Sequence, residues 1–93
     1  MANYRISNAA KEDLIRIHHY GVKKFGMNQA DKYFDSFFTY FEIIAYRPYA
    51  SVESIKKVYR RCVCGSDGIF YKINKDTVEI MAIVGRQDLN SIL

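Results

Sequence analysis

Ser66-Asp67-Gly68-Ile69-Phe70-Tyr71 and, after a short gap, Val78-Glu79-Ile80-Met81-Ala82-Ile83-Val84-Gly85-Arg86-Gln87-Asp88-Leu89 are the stretches that decide the fold. Both contain short runs of β-branched and aromatic residues, and Asn74-Lys75-Asp76 between them is typical of a turn, so they predict two adjacent antiparallel strands. The second run is apolar on both faces, which predicts a central or covered strand. Arg86 lies just outside that strand, a position that favours a recognition residue.

Two further strands are predicted on either side of a helical region. Residues 57–63 precede the turn-like Gly65-Ser66-Asp67-Gly68, so the segments 57–63, 68–74 and 77–84 should form an antiparallel meander. Residues 3–7 alternate in polarity and predict a short first strand. Residues 47–56 form a connecting loop, and Leu89–Leu93 is a short terminal segment.

Apolar periodicity predicts two helices between the first and second strands. The first is capped by Ser7 or Asn8, carries Lys11-Glu12-Asp13 in its early turns and ends at Gly26. Its apolar stripe consists of Ala10, Leu14, Ile17, Gly21 and Phe25. The second runs from near Asn28 to about Tyr46, before Pro48. Its stripe consists of Ala30, Tyr33, Phe34, Phe37, Phe38, Phe41, Ile44 and Ala45, and core packing explains it better than a cofactor site.

These elements predict an α+β fold of order β-α-α-β-β-β. The two helices are joined by two or three residues and should pack as an antiparallel hairpin on one face of a small antiparallel sheet. A chain of 93 residues with 49% apolar residues is sufficient for one core, so we expect a single domain over residues 1–93. No apolar run is long enough to span a membrane, and the start lacks the apolar stretch of a secretory signal, which predicts a cytoplasmic protein without a membrane partner.

The net charge of +4 is concentrated late in the chain. Residues 1–55 carry seven basic and six acidic side chains, whereas residues 56–93 carry seven and four. Lys56, Lys57, Arg60 and Arg61 are close together in sequence. A basic face of this kind favours a nucleic acid or an acidic protein segment, and a solvated face without a partner is an equally valid interpretation of the charge alone.

The residues that could hold a metal or a disulfide are few. Cys62 and Cys64 are two positions apart on a predicted strand, so their side chains share one face, where a mutual disulfide would be strained. Two thiols and the distant pair His18 and His19 do not make a zinc site. We therefore expect reduced thiols, no metal and no cofactor.

Two catalytic arrangements deserve comparison with a binding role. A cysteine nucleophile with His18 or His19 would need an orienting acid, and none is evident near the histidines. The stronger alternative is metal-free RNA cleavage, with Tyr71 as the acid and a cluster of cations on the phosphate: Lys56, Lys57, Arg60, Arg61 and Arg86. Arg60 and Tyr71 share a predicted face with Val58 and Cys62, a mixture typical of a half-exposed strand. Recognition therefore ranks ahead of catalysis.

A series of short motifs resembles one known family along almost the whole chain. The motifs are Tyr4-Arg5-Ile6-Ser7, Ala10, Asp13-Leu14, Ile17, Tyr20, Phe25-Gly26, Gln29-Ala30, Tyr33, Pro48, Tyr59-Arg60-Arg61, Gly65-Ser66, Ile69-Phe70-Tyr71, Val78-Glu79-Ile80 and Arg86-Gln87-Asp88. In order and spacing they resemble the ParE toxins of the RelE/ParE superfamily of type II toxin–antitoxin systems.

The resemblance implies a toxin that poisons DNA gyrase, blocks replication and is neutralised by a ParD-like antitoxin. DNA would be contacted only through the antitoxin or the gyrase complex, and no residue of the toxin would be catalytic. Candidate gyrase-binding residues are Arg86, Asp88, Leu89, Arg60 and Arg61. Candidate antitoxin-binding residues are Leu14, Ile17, Tyr20, Phe25 and Arg60, although most of the helix positions are also expected core positions.

The chain departs from the family pattern at two places. Family members usually read Gly-Ser-His-Ile before the Ile-Phe-Tyr strand, where this chain has Asp67 and Gly68. Their last strand usually ends in Leu-His followed by Gly-Arg-Met-Asp, where this chain has Val84 and Gln87. The loss of both histidines argues against the alternative function, a RelE-like ribosome-dependent mRNA interferase. A third possibility is a partner-binding module without toxicity.

Overall fold

The computed structural model describes residues 3–49 and 59–85. Within them the order is β1 (Asn3–Ile6), α1 (Asn8–Phe25), α2 (Met27–Tyr46), β2 (Arg60–Cys64), β3 (Asp67–Asn74) and β4 (Thr77–Gly85). The predicted α+β class and element order are confirmed, and the boundaries agree with the sequence-based ones to within a few residues. The predicted strand residues 57 and 58, most of the connecting loop and the segment Leu89–Leu93 lie outside the described residues.

The four strands form one sheet in the order β1-β4-β3-β2. Strands β2, β3 and β4 are the predicted antiparallel meander, and β4 is central, as its apolar composition predicts. Strand β1 pairs parallel to β4, from Asn3 opposite Thr77 to Ile6 opposite Ile80, so the sheet is mixed rather than wholly antiparallel. The reason is geometric: the helical hairpin returns the chain to the far edge of the sheet, so β1 and β4 run in the same direction.

The short first strand ends where helix α1 begins. Ser7 is the N-cap, and its Oγ accepts a hydrogen bond from the Ala10 amide at 3.1 Å. The same hydroxyl donates to the Met81 carbonyl oxygen at 3.0 Å, and the Ser7 amide donates to the Ile80 carbonyl oxygen at 3.0 Å. Ser7 therefore caps the helix and also extends the hydrogen bonding along the edge of β4 beyond the end of β1.

Both helices pack on the same face of the sheet, and the core lies between the helices and the sheet. Its buried members are Ala10, Leu14, Ile17, Phe37, Phe41, Ile44, Ala45, Cys64, Ile69, Tyr71, Val78, Ile80 and Ile83. Helices α1 and α2 approach closely where Gly21 faces Ala30. A Cβ added at Gly21 would lie only 3.3 Å from the Ala30 Cβ. In the described ranges neither helix is long and apolar enough to cross a membrane.

The apolar stripe of α2 is confirmed, but that of α1 leaves the core before its end. Ala10, Leu14 and Ile17 are buried, whereas Phe25 is 62% exposed. The last two turns of α1 instead form one wall of a groove that Gly85 of β4 also lines.

Candidate functional site

A groove with a cavity volume of about 590 Å³ lies where the helical hairpin passes the ends of β3 and β4. Helix α1 contributes one wall, which consists of Arg16, Ile17, Tyr20, Gly21, Lys24 and Phe25. The opposite wall is formed by Gln29, Ala30 and Tyr33 of α2 together with Ser66, Asp67 and Gly85. We call this site the hairpin groove.

The outer lip of the hairpin groove combines aromatic surface with positive charge. Tyr20 and Phe25 are 58% and 62% exposed. The Lys24 ammonium donates to the Tyr20 hydroxyl at 3.1 Å and lies 5.5 Å and 5.7 Å from the ring centroids of Tyr20 and Phe25. These contacts hold the ammonium beside two rings, a geometry that favours a partner with both apolar and anionic groups.

The inner end of the groove is lined by Arg16, which contacts the edge of β4. Its Nη2 lies 3.3 Å from the Ile83 carbonyl oxygen and 3.4 Å from Asp13 Oδ1. Asp13 Oδ2 in turn accepts from the Ile83 amide at 2.9 Å. The acidic residue in the early turns of α1 therefore binds the main chain of β4. Helix α1 thus supplies the hydrogen bonds that a longer β1 would have made.

A buried carboxylate lies at the opposite wall. Asp67 is 8% exposed and accepts a hydrogen bond from the Tyr33 hydroxyl at 2.6 Å. The Ser66 amide donates to the same hydroxyl oxygen at 3.3 Å, and the Cys64 carbonyl oxygen lies 3.0 Å from it. Burial, and then the bond to Asp67, raises the pKa of Tyr33 well above its ordinary value. The sequence predicts a turn at Asp67, but Asp67 is the first residue of β3 and pairs with Cys64 of β2. The hydrogen bond from Tyr33 compensates the burial of its carboxylate.

The predicted basic strand separates its two arginines. Arg60 pairs with Tyr71 and Arg61 with Phe70, so the arginines point to opposite faces, as their alternation predicts. The Arg60 guanidinium carbon lies 5.0 Å from the ring centroid of Tyr49. Arg61 lies on the opposite face of the sheet, where its Cδ would be 3.5 Å from a Cβ added at Gly68.

Of the alternative catalytic sites, Tyr71 and Cys64 have structural roles, whereas the candidate cations Lys56, Lys57 and Arg86 lie outside the described residues. Tyr71, the candidate acid for RNA cleavage, is fully buried and donates to the Pro48 carbonyl oxygen at 2.6 Å. Burial raises the pKa of the Cys64 thiol to about 11, so that thiol is protonated at neutral pH and is a poor nucleophile. Cys62 and Cys64 are both free thiols, as predicted.

The histidine prediction needs a correction. His18 does have an acidic partner, because its Nε2 lies 2.8 Å from Asp31 Oδ1 on the adjacent helix. Its ring also packs edge-on against Phe34 at a centroid distance of 5.4 Å. The pair joins α1 to α2. Over residues 3–49 and 59–85, no group of three His, Cys, Asp or Glu side chains is placed to hold a metal ion.

Comparison with known proteins identifies the family. A family model described as "ParE toxin of type II toxin-antitoxin system, parDE" matches residues 4–89. Toxin ParE1 of Caulobacter vibrioides is 34% identical over 93 residues, which cover 98% of this chain and 95% of that protein. This chain belongs to the ParE toxin family.

Solved structures agree with the ParE fold. A chain of the chromosomal ParDE toxin–antitoxin system of P. aeruginosa superposes with a TM-score of 0.82 at 15% identity, covering 91% of this chain and 96% of that one. A conserved hypothetical protein of Helicobacter pylori gives a TM-score of 0.53 at 13% identity, covering 96% of this chain and 99% of the other. At these identities the two comparisons show the fold alone.

The predicted ParE contact residues fall into three groups. Tyr20 and Phe25 lie at the lip of the hairpin groove and Ile17 at its base, whereas Leu14 is a core residue. Arg60 and Arg61 lie on β2, away from the residues that line the groove. The gyrase candidates Arg86, Asp88 and Leu89 lie outside the described residues.

Sequence reasoning missed four residues of this ParE groove: Arg16, Lys24, Tyr33 and Asp67. Arg16 and Lys24 are each four positions from Tyr20, a candidate contact residue, so they lie one turn from it on the helix surface. That spacing was an available signal. The pairing of Tyr33 with Asp67 had no local signal, because the two residues are 34 positions apart.

Proposed function

We propose that this ParE-family toxin inhibits DNA gyrase, traps it on cleaved DNA and so blocks replication in the cytoplasm. The observation that carries the proposal is the family match over residues 4–89, together with 34% identity to a curated ParE toxin. A poison of this kind needs a rigid surface that favours one state of its target, and it needs no bond-making chemistry of its own.

Three of the side chains that could have supplied such chemistry have other roles in the described part of the chain. The Tyr71 hydroxyl donates to a main-chain carbonyl inside the core, the Cys64 thiol is protonated at neutral pH, and the Arg60 guanidinium stacks on Tyr49. These contacts support a non-enzymatic toxin. They also count against the RelE-like mRNA interferase, which would require an accessible acid beside the arginines.

The second part of the proposal is a ParD-like antitoxin that occupies the hairpin groove. The lip offers two exposed aromatic rings and the Lys24 ammonium, and Arg16 lies at the inner end. An acidic segment with apolar side chains is complementary to such a surface, and burial of Tyr20 and Phe25 would offset the cost of ordering that segment. The toxin would then meet DNA only through gyrase or through the DNA-bound antitoxin.

Purified toxin should be incubated with gyrase and plasmid DNA, and separately with ribosomes and mRNA. The proposed function predicts loss of supercoiling with accumulation of gyrase–DNA cleavage complexes, and intact mRNA. mRNA cut within codons, with supercoiling unaffected, would favour the interferase. A protein that gives neither signal and no growth defect on expression would be a binding module without toxicity.

Expression of the toxin in cells, with and without the adjacent gene that would encode an acidic antitoxin, tests the second part of the proposal. Growth arrest by the toxin alone, relieved by co-expression of that gene, is the expected result. Arrest that the neighbouring gene does not relieve would contradict the proposed partner.

A further inference from the structure

Among residues 3–49 and 59–85, the edge of the central strand β4 that faces helix α1 is covered only in part. The register of β1 ends at Ile6 opposite Ile80. Beyond that point Ser7 donates to the Met81 carbonyl, and the Asp13 carboxylate and Arg16 guanidinium bond the Ile83 amide and carbonyl. In the described ranges this series of side chains stops at Ile83, two residues before the strand ends at Gly85.

The direction of the Gly85 amide follows from the strand geometry. Ile83 directs its N–H and C=O toward α1, so its pairing with Ile69 on β3 is of the non-hydrogen-bonded kind. Residues alternate along a strand, so Val84 bonds β3 opposite Gly68, and Gly85 directs its N–H and C=O to the same edge as Ile83. Gly85 and Arg16 both line the hairpin groove.

We propose that the groove receives its partner as an extended segment, one carbonyl of which accepts a hydrogen bond from the Gly85 amide. The segment would continue the line that Ser7, Asp13 and Arg16 occupy along β4, a short form of strand addition. This inference rests on the proposed function, because the segment is assigned to the antitoxin.

The side chains around Gly85 define the chemistry of the segment. An acidic side chain is matched by Lys24 and Arg16, and an apolar one by the Tyr20 and Phe25 rings. Asp67 on the opposite wall already accepts from Tyr33, and its charge disfavours a second carboxylate there. A purely helical partner would fit less well, because its main-chain carbonyls, apart from the last four, are bonded within the helix. The segment is therefore acidic, partly apolar and extended where it passes Gly85.

Replacement of a single amide by an ester tests the hydrogen bond directly. The full chain can be assembled by ligation at Cys62 from residues 1–61 and a synthetic fragment of residues 62–93. Glycolic acid at position 85 replaces the N–H by an oxygen. The matched control carries the α-hydroxy acid of valine at position 84, whose amide is assigned to the β3 ladder. The probe is the product of the adjacent gene, tested as the proposed ParD-like antitoxin, and affinity is measured by calorimetry alongside the urea midpoint.

The ester at position 85 also makes the Val84 carbonyl a weaker acceptor in the β3 ladder, so it should lower the urea midpoint of the free toxin less than the ester at position 84 does. It should weaken probe binding about tenfold, as expected for one lost hydrogen bond. The ester at position 84 should lower the midpoint. Unchanged affinity of the position-85 ester would overturn the proposal, and so would a midpoint as low as that of the position-84 ester, because the Gly85 N–H would then be used inside the toxin. If the unmodified toxin fails to bind the probe, the assignment of the antitoxin fails with it. A probe that binds both the unmodified toxin and the position-85 ester equally contradicts the Gly85 contact alone.

Discussion

The Tyr33 hydroxyl lies 2.6 Å from Oδ2 of Asp67 and fixes the turn between β2 and β3 against helix α2. Because Asp67 is buried, replacement of Tyr33 by Phe leaves a carboxylate without its donor. We expect Tyr33→Phe to lower the free energy of unfolding by about 1–3 kcal/mol. Urea unfolding followed by circular dichroism measures the change. Tyr46→Phe, at an exposed position, is the matched control and should have no measurable effect.

The same turn depends on a glycine at position 65. Gly65 has φ +60°, and a Cβ there would lie 2.8 Å from the Tyr33 Cε1 atom. Gly65→Ala should therefore cost roughly 1–2 kcal/mol for the left-handed backbone alone, plus a steric contribution from the ring. In a Tyr33→Ala background the steric part should vanish, so the two substitutions should not be additive. Strict additivity of the two unfolding free energies would show that ring and turn are not in contact.

Helix α1 contributes to the sheet through Asp13, which accepts from the Ile83 amide at 2.9 Å. Asp13→Ala leaves that amide without its acceptor, and we expect a loss of about 1–3 kcal/mol in the free energy of unfolding. Glu12→Ala removes an exposed carboxylate from the adjacent position and serves as the control. Equal destabilisation by the two variants would mean that charge, rather than the bond to β4, is responsible.

The raised pKa of Cys64 predicts loss of stability in alkaline solution. Its thiol ionises near pH 9.0 in the unfolded chain and at about 11 in the folded one, so between these values the folded state holds more protons. The contribution of Cys64 to stability is therefore full below pH 9 and falls as the pH rises toward 11, by about 2–3 kcal/mol at most. Chemical denaturation across pH 7–11 tests this. Cys64→Ala should flatten the profile between pH 9 and 10, below the ordinary pKa of tyrosine at which Tyr33 begins to contribute, and Cys62→Ala should not. A profile that Cys64→Ala leaves unchanged would contradict the assignment.

The proposed antitoxin contact predicts an effect of charge reversal at the groove. Lys24→Glu removes the ammonium beside Tyr20 and Phe25, and we expect affinity for the acidic partner to fall roughly tenfold to hundredfold. Lys11→Glu makes the same change in net charge on an exposed part of α1 that does not line the groove. Similar losses for the two variants would indicate a general electrostatic effect and would argue against a partner seated in the groove.

The proposed gyrase contact predicts a separable toxic surface. Arg86→Ala combined with removal of residues 89–93 should give a folded protein with reduced toxicity, measured by growth after induction and by gyrase cleavage assays. The far-ultraviolet circular dichroism of the variant should match that of the parent. Full growth arrest by the shortened protein would place the active surface elsewhere.

The helices, the meander and the central position of β4 could be predicted because each depends on local periodicity or turn chemistry. The stripe from Ala30 to Ala45 and the turn at Asn74-Lys75-Asp76 are such signals. The parallel pairing of β1, the burial of Asp67 and the bond from Asp13 could not be predicted in this way. Each depends on a partner distant in sequence, and Asp13 and Ile83 are 70 positions apart. Part of the groove lining could be predicted, because Ile17 and Phe25 belong to the apolar stripe of α1 and Lys24 borders that stripe.

The parallel pairing of β1 with β4 has a consequence for synthesis of the toxin. Asn3 lies opposite Thr77 and Ile6 opposite Ile80, so the first strand to leave the ribosome finds its neighbour only when the last one has emerged. Contacts between such distant parts of a chain slow folding, because a long loop must close before they form. A nascent toxin therefore spends nearly its whole translation without a finished sheet, and only an almost complete polypeptide can become harmful to its host.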